Sequence, residues 1–311
     1  MGLRWYPTHM VRARKAIAKY MDLIDVFLEV LDARVPYSSR NPEIDEIIGS
    51  KPRVLVLNKA DLADPKATDD WVVHLRELGW QAGPTNSQGG FGVSSILTAA
   101  RELMRPKWEK EEARFKKMGL RFRDRLIRCI VVGVPNVGKS SLINRITRRR
   151  KAKVGAYAGV TTGEQWLTPA GPDYMAKAKD FQLLDVPGIL WPRFEDPEVA
   201  FKLSVVGAIS ADVLDPEPIA MKLLGYLREN RPEVLSERYG LTEVREPLEE
   251  NLDAIAESRE FWLPGKRLDR FRAADTLLRE FRDGTLGRFT LERVEDYGDK
   301  FKSVEEAGPA R

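Results

Sequence analysis

Apolar residues along the first part of the chain fall into short, uninterrupted runs that alternate with stretches of helical spacing. The runs lie at residues 26–31, 53–57, 129–132 and 181–184, with weaker ones near Trp80 and at 164–168. Such runs are typical of strands that are buried on both faces. Helical spacing predicts helices at residues 43–48, 66–78, 93–104 and 142–146. We therefore expect an α/β fold with a mostly parallel sheet and helices on both faces.

The strand pattern stops near Pro192, and helical signals replace it. Asp196 and Asp215 are each followed by proline, which is the order of an N-cap and a first helical residue. Residues 107–117 carry charges of both signs, as an exposed linker helix does. The predicted organisation is an α/β domain over 1–192 with a linker at 105–128, a helical domain over 193–295, and a disordered tail over 296–311.

Composition narrows the class of protein without specifying a function. The chain has 311 residues, 43% of them hydrophobic and 32% charged, and its formal net charge is only +4. This length has room for about two domains with their own cores. Neither a secretory leader nor a membrane-spanning run is evident, so a cytoplasmic protein without a membrane partner is expected. The single cysteine, Cys129, lies in an apolar run and is interpreted as a core residue.

Residues 133–140 read Gly-Val-Pro-Asn-Val-Gly-Lys-Ser and join an apolar run to a helical stretch. This G-x-x-x-x-G-K-S pattern is typical of a P-loop, whose backbone N–H groups cradle phosphates. Lys139 is predicted to meet the β- and γ-phosphates of a nucleoside triphosphate, and Ser140 to bind Mg²⁺. A chance glycine turn is the alternative, which the flanking elements disfavour. Further nucleotide contacts are assigned to Asn136, Val137, Gly138 and Ser141.

Asn58, Lys59 and Asp61 form an N-K-x-D pattern at the end of a predicted strand. A carboxylate there can accept hydrogen bonds from both the ring N–H and the exocyclic amine of guanine, whereas adenine offers no such pair of donors. Asn58 is expected to hold neighbouring loops, and the Lys59 stem to lie over the base. Asn86 and Ser87, in a loop further along the chain, are assigned to the same site. A polar turn at a strand end is the alternative.

Asp185 and Gly188 form a D-x-x-G pattern after another predicted strand, downstream of the P-loop. The aspartate fits a carboxylate near Mg²⁺, and the glycine N–H fits a sensor of the γ-phosphate. A loop threonine, Thr161, is the candidate for a further Mg²⁺ ligand, and Thr162 competes with it. The predicted metal ligands are thus Ser140, Thr161 and Asp185.

The order of these motifs is unusual. In most GTPases the P-loop comes first and N-K-x-D last, whereas here N-K-x-D precedes the P-loop. This is the order of a circularly permuted GTPase. The usual sheet can still form if residues 105–128 join the old end of the domain to its old beginning.

The chain resembles the bacterial ribosome biogenesis GTPase A (YlqF/RbgA) family over nearly its whole length. The matching stretches are residues 5–10, 32–42, 58–62, 133–144, 159–166, 185–191, 272–275 and 281–287. Thr8 departs from the pattern, since the family usually has glycine before the histidine. The resemblance implies a monomeric GTPase that acts late in assembly of the large ribosomal subunit. It also implies that the helical domain touches ribosomal RNA on the subunit precursor.

Two further roles come from the resemblance. Ras-like GTPases place a water-orienting glutamine just after D-x-x-G, whereas Ile189 and Leu190 stand there in this chain. Aliphatic side chains cannot orient water. His9, which matches the family's N-terminal histidine, is therefore the catalytic candidate beside Lys139, and another group or slow hydrolysis is the alternative. Asn136 resembles the asparagine that binds K⁺ in related GTPases, which adds K⁺ to the expected GTP, GDP and Mg²⁺.

Basic segments at the N-terminus, at residues 148–153 and at residues 266–293 suggest contacts with a phosphate backbone. Solvated surfaces are the alternative. A second function remains open, in which an RNA-binding assembly factor uses GTP binding without significant hydrolysis. A P-loop kinase is a third interpretation, which the N-K-x-D pattern disfavours. An organellar homologue is open too, although no transit peptide is visible.

Overall fold

The computed structural model describes residues 15, 17–121, 125–148, 165–169, 178–186, 188, 196–209, 215–241, 243 and 246–301. The chain folds into two compact units. One comprises Met1–Glu195 together with Thr290–Arg311, and the other comprises Asp196–Phe289.

The first unit is built on a six-stranded sheet. Its strands are β1 (Val26–Asp32), β2 (Arg53–Asn58), β3 (Gln81–Thr85), β4 (Ile127–Val132), β5 (Gln165–Leu167) and β6 (Phe181–Asp185). They lie in the order β3-β2-β1-β4-β6-β5, and all pairs are parallel except β5 with β6. The predicted α/β fold is confirmed, and the permuted connectivity places β4 directly beside β1. Every residue of β1 is buried, as expected for a central strand.

Helices cover both faces of this sheet. They are α1 (Pro42–Ile48), α2 (Pro65–Glu77), α3 (Val93–Lys117) and α4 (Lys139–Thr147). On one face, Leu55 and Leu57 of β2 pack with Trp71 of α2. Because side chains alternate along a strand, Val56 points to the other face. Gly83, paired with Val56, lies so close to α3 that an added Cβ would be 3.2 Å from Ile96.

Helix α3 joins two segments that the sequence pattern separates at residue 104. It runs for 25 residues, with Pro106 inside it. Its buried residues all precede the proline, and its C-terminal half is mostly exposed. The predicted linker is therefore the exposed end of a helix whose beginning packs on the sheet. Among the helices within the described ranges, none is both long and apolar enough to cross a membrane.

The second unit is helical apart from one short ribbon. Its helices are α5 (Pro197–Val205), α6 (Pro216–Asn230), α7 (Pro232–Tyr239), α8 (Glu249–Ser258) and α9 (Arg270–Asp283), and its ribbon pairs β7 (Trp262–Leu263) with β8 (Arg267–Leu268). Asp196 and Asp215 cap their helices, accepting hydrogen bonds from Glu198 N at 2.8 Å and Glu217 N at 3.1 Å. Buried Glu280 on α9 accepts from Arg238 and Tyr239, which ties α9 to α7.

Residues 290–301, called here the return segment, correct two predictions. They belong to the first unit, whereas the sequence pattern assigned residues up to 295 to the helical domain. Residues 296–301 are ordered as well, since they include the end of α10 (Val294–Tyr297), a 3₁₀ turn (Gly298–Lys300) and buried Phe301. Phe301 packs on Trp71 with 5.3 Å between ring centroids. A long-range contact of this kind leaves no local periodicity in the sequence.

Candidate nucleotide-binding site

Five parallel strands present their carboxyl ends at one edge of the sheet. Asp32, Asn58 and Thr85 end β1, β2 and β3 and lie side by side in register. Asp185 ends β6 and pairs with Val131, next to the start of the P-loop. The strand order reverses between β1 and β4, and open α/β sheets bind ligands at such a reversal.

Buried Asn58 links three segments around this edge. Its Nδ2 donates to the P-loop carbonyl of Val137 at 2.7 Å. Its Oδ1 accepts from Thr85 Oγ1 at 3.0 Å, and from Ser87 N at 3.0 Å and Ser87 Oγ at 2.7 Å. The end of β2, the loop after β3 and the P-loop therefore share one side chain. Removing either the NH₂ group or the oxygen of this amide would leave buried partners unsatisfied.

The loop after β3 is held by its own polar residues. Asn86 folds it, because its side chain accepts from Gly89 N at 2.7 Å and its carbonyl accepts from Gly90 N at 2.6 Å. Arg145 of α4 donates from Nε to the Ser87 carbonyl at 3.1 Å. The same loop is thus anchored both to β2 and to the helix that follows the P-loop.

Lys59 is held by an acidic partner that its own motif does not contain. Its backbone is left-handed, with φ of 60°, and its Nζ lies 2.9 Å from Asp32 Oδ2. The guanidinium of Arg34 also bonds this buried carboxylate, through Nε to Oδ1 at 2.9 Å and Nη2 to Oδ2 at 2.8 Å. Burial opposes ionisation of Asp32, but Arg34 and Lys59 together hold the pKa of its carboxyl well below the usual value. Asp61, two residues beyond Lys59, is exposed to solvent.

The P-loop has the backbone of a phosphate cradle. Gly133 and Gly138 have φ of 141° and 100°, and Asn136 has φ of 60°. An added Cβ at Gly133 would lie 2.3 Å from the Val30 carbonyl oxygen, and one at Gly138 would lie 2.2 Å from Asn58 Nδ2. Only glycine fits these two positions, because both need left-handed backbone and a close approach.

Lys139 opens α4 and is buried inside the loop. Its Nζ donates to the carbonyls of Gly133 at 3.1 Å and Val134 at 2.8 Å. Burial, reinforced by Lys59 and opposed by Asp185, lowers the pKa of its ammonium group to about 8. The Lys139 ammonium is therefore only partly protonated near pH 8, and its position suits an anionic ligand.

Asp185 and Gly188 lie on the other side of the P-loop. Asp185 is buried, and its charge favours protonated Lys139. Gly188 is so close that an added Cβ would be 2.8 Å from Pro135 N and 2.9 Å from Lys139 Nζ. The D-x-x-G segment and the lysine therefore meet, as a site for a γ-phosphate and its metal ion would need.

The structure describes most of the predicted site residues, and contacts link Asn58, Ser87, Val137, Lys139 and Gly188 around the P-loop. Its described residues include Asn58, Lys59, Asp61, Asn86, Ser87, Asn136, Val137, Gly138, Lys139, Ser140, Ser141, Asp185 and Gly188. His9, Thr161, Thr162, Ile189 and Leu190 lie outside them. Across the described ranges, no three His, Cys, Asp or Glu residues group as metal ligands. Mg²⁺ in phosphate sites commonly uses one or two protein oxygens and completes its shell with phosphate and water, which Ser140 and Asp185 fit.

The motifs do not predict three residues that support the site. The sequence pattern places Asp32 and Arg34 only in a loop and in the resemblance, yet Asp32 pairs with Lys59 and Arg34 pairs with Asp32. An aspartate and an arginine directly after a buried strand could have signalled a buried ion pair. Arg145 carried no such signal, because its bond to Ser87 depends on the folded loop.

Comparison with known proteins agrees with this geometry. The family described as "50S ribosome-binding GTPase" matches residues 128–235, beginning just before the P-loop and therefore excluding Asn58 and Asp61, as permutation requires. Ribosome biogenesis GTPase A of Bacillus cereus is 42% identical over 305 residues, covering 98% of both chains. The protein of that name from Priestia megaterium is 40% identical, covering 94% of this chain and 97% of its own.

Solved structures show the same relationship. The GNP-bound structure of YlqF from T. maritima superimposes with a TM-score of 0.60 at 26% identity, covering 91% of this chain and 99% of its own. The nucleotide-binding motifs at the strand ends of this chain agree with the motif order of a permuted GTPase. The chain belongs to the ribosome biogenesis GTPase A family and is a circularly permuted, GTP-hydrolysing P-loop protein.

Proposed function

We propose that this protein hydrolyses GTP as a timing switch in a late step of large ribosomal subunit assembly. It binds the precursor particle and its ribosomal RNA, acts in the cytoplasm and works as a monomer. Family membership supports a role in ribosome assembly. The single structural observation that carries the GTP part is the hydrogen bonding of Asn58. It ties the N-K-x-D segment to the P-loop and so joins a base-binding side to a phosphate-binding side.

Each half of this site has a defined task. Asp61 accepts from the guanine edge, the Lys59 stem covers the base, and Asn86 and Ser87 line the same side. Lys139 and the loop N–H groups hold phosphate oxygens, with Ser141 at the start of the helix. Ser140, Asp185 and Thr161 would hold Mg²⁺, which neutralises charge on the β- and γ-phosphates when bound. Gly188 responds to the γ-phosphate because it lies against Lys139.

The hydrolytic step needs a group that aims water. Ile189 and Leu190 cannot do this, so we assign it to His9, whose neutral imidazole can accept a hydrogen bond from the attacking water. Asn136 stands in left-handed backbone between the two loop glycines, where its side chain could help to hold K⁺. Both assignments rest on the sequence motifs and the family resemblance.

Basic residues of the second unit support an RNA partner. Some are occupied structurally: Arg270 pairs with Asp253, and Arg282 donates to the carbonyls of Ser204 and Val205. Others are exposed on the surface of that unit, namely Lys266, Arg267, Arg272, Arg279 and Arg288, and Arg272 also stacks over the ring of Phe261. Exposed arginines are suited to phosphate contacts, and those on and around α9 form the proposed RNA-binding surface.

Co-sedimentation and turnover test this function together. We expect the protein to pellet with large-subunit precursors in a non-hydrolysable GTP analogue and to be released with GDP. Turnover should rise at least tenfold when precursors are added, and His9→Ala should cut the stimulated rate by about 10²-fold without weakening binding. Turnover in KCl should exceed that in NaCl, and Asn136→Ala should remove the difference.

The alternative function gives a different result. An RNA-binding factor without significant hydrolysis would pellet with precursors in GTP, yet its turnover would not respond to them. A rate that ignores the precursor would therefore favour that function. Failure to pellet under any nucleotide condition would exclude both.

A further inference from the structure

The return segment is bonded to two loops beside the proposed guanine side of the site. The carboxylate of Glu292, fully buried, accepts from Tyr37 N at 2.8 Å and Ser38 N at 3.1 Å. It also accepts from Ser38 Oγ. The Glu292 carbonyl accepts from Trp71 Nε1 at 2.9 Å. Glu292 lies 255, 254 and 221 positions along the chain from Tyr37, Ser38 and Trp71, so these bonds depend on the tertiary fold.

The first of these loops, the Arg34 loop (residues 33–41), leads to Lys59. The Leu291 amide donates to the Arg34 carbonyl at 2.8 Å, next to the Glu292 contacts. Arg34 in turn forks onto Asp32, and Asp32 holds the Lys59 ammonium. The chain of contacts thus runs from the return segment through a buried ion pair to the N-K-x-D motif.

The second loop lies directly after that motif. Asp64 caps helix α2 by accepting from Ala67 N at 2.8 Å. Its own amide donates to Thr290 Oγ1 at 3.1 Å, and its carboxylate lies 3.6 Å from Arg293 Nη1. Asp61 lies between Lys59 and Asp64 in the chain, so the return segment constrains the backbone on both sides of Asp61.

We propose that Glu292 is a positioning residue for guanine selection. It fixes the Arg34 loop, which fixes Asp32 and Lys59, and the return segment fixes Asp64 from the other side. The carboxylate of Asp61 is exposed and needs this frame to meet both guanine donors at once. The inference rests on the proposed assignment of Asp61 to the base. It adds that selectivity depends on a segment that follows the helical unit in the chain.

Base selectivity is the quantity to measure. Inosine diphosphate lacks the exocyclic amine, so the ratio of its Kd to that of GDP reports how well Asp61 is aimed. In Glu292→Gln the remaining oxygen can still accept from the two backbone amides, but the NH₂ cannot accept from Ser38 Oγ and the negative charge is lost. We expect this ratio to fall by about fivefold or more towards 1. Ser38→Ala removes one donor only and should cause a smaller fall. Calorimetry on the full-length protein supplies both constants.

Controls separate selectivity from stability. Partial unfolding weakens binding of both nucleotides equally and leaves the ratio unchanged. Glu295→Gln changes an exposed carboxylate on the same segment and should leave the ratio as in the parent. Ile96→Val reduces stability from the opposite face of the sheet, by about 1 kcal/mol for the lost methylene, and should not alter the ratio either.

Asp61→Asn separates the assignment of Asp61 to guanine from the positioning role of Glu292. If it leaves the ratio unchanged, the guanine assignment itself is wrong. If it lowers the ratio while Glu292→Gln and Ser38→Ala do not, the assignment stands and the positioning role of Glu292 is overturned. A fall in Glu292→Gln that Ile96→Val reproduces would also overturn it, because general loosening would then suffice.

Discussion

Lys139 and Asp32 are buried ionisable residues with opposite electrostatic situations. Asp32 has two cationic partners, and they outweigh its desolvation. Lys139 bonds to neutral carbonyls, and desolvation dominates despite the nearby charge of Asp185. The Asp32 carboxylate therefore has its counter-charges within the protein. The pKa of the Lys139 ammonium, by contrast, rises only when an anionic ligand binds beside it.

Nucleotide binding should therefore take up protons at alkaline pH. With a pKa of about 8, Lys139 is only partly protonated at pH 8.5, and a bound polyphosphate raises that pKa. We expect Lys139 to take up about 0.7 proton per GDP at pH 8.5 and almost none at pH 6.5, where the terminal phosphate of GDP titrates instead. The affinity that Lys139 contributes is accordingly full below about pH 7 and falls as pH rises through 8. Calorimetry in buffers of different ionisation enthalpy measures the uptake.

The exposed lysine Lys66 provides the control for that experiment. Lys66→Met should leave proton uptake unchanged, because its ammonium lies on the surface of α2 and pairs with Asp70. Absence of uptake at pH 8.5 in the parent protein would contradict the lowered pKa of Lys139.

Asp32 predicts acid sensitivity of the fold. Because its pKa is lower in the folded protein than in the unfolded chain, its stabilisation is present above the ordinary carboxyl pKa, about 3.9, and is lost as pH falls below it. Asp32→Asn should cost about 3 kcal/mol at pH 7, since Arg34 and Lys59 then lose their counter-charge. Urea unfolding at several pH values should show the gap between the two proteins narrowing below pH 4. A gap that stays constant would count against the ion pair.

At the scale of elements, the hydrophobic pattern predicts secondary structure best for strands that are buried along their whole length. The runs at β1, β2, β4 and β6 were predicted because central parallel strands are apolar throughout. The two caps at Asp196 and Asp215 carry an equally local signal. The sequence pattern ends the helix at residue 104, where the apolar spacing stops, but helix α3 continues through Pro106 as an exposed helical segment.

The element that bears most on partner binding is α9 with the ribbon before it. Replacing Arg267, Arg272 and Arg279 with glutamine should weaken binding to large-subunit precursors. It should also flatten the salt dependence, by about one slope unit for each phosphate that is no longer neutralised. GTP affinity should change little, since these residues lie in the second unit. Co-sedimentation across a salt series measures both effects.

A triple variant with the same change in charge serves as the control. Lys66, Lys110 and Lys116 are exposed on α2 and α3 of the first unit. Their replacement by glutamine should leave precursor binding nearly intact. Equal losses in the two triple variants would mean that net charge, rather than the α9 surface, governs binding.

At the scale of the whole molecule, the sequence shows the permuted order of the motifs but not the long-range contacts of the return segment with the rest of its unit. The nucleotide motifs are contiguous, so their residue types and spacing can be read directly. Glu292 and Trp71 are 221 positions apart, and the bond between them follows from no period or motif. The division into units was misplaced at residue 290 for the same reason. Contacts of high sequence separation are specified only by the assembled structure.

The pairing of β1 with β4 limits how early the sheet can fold while the chain is being translated. Strands β1, β2 and β3 are synthesised first, yet one edge of β1 lacks its partner until Ile127–Val132 has left the ribosome. Such an unpaired, apolar edge invites mispairing. Glu292 is made later still, so a nascent chain already carrying its P-loop lacks the frame for guanine. On the proposed role of Glu292, a guanine-selective site therefore forms only after translation has passed the helical unit.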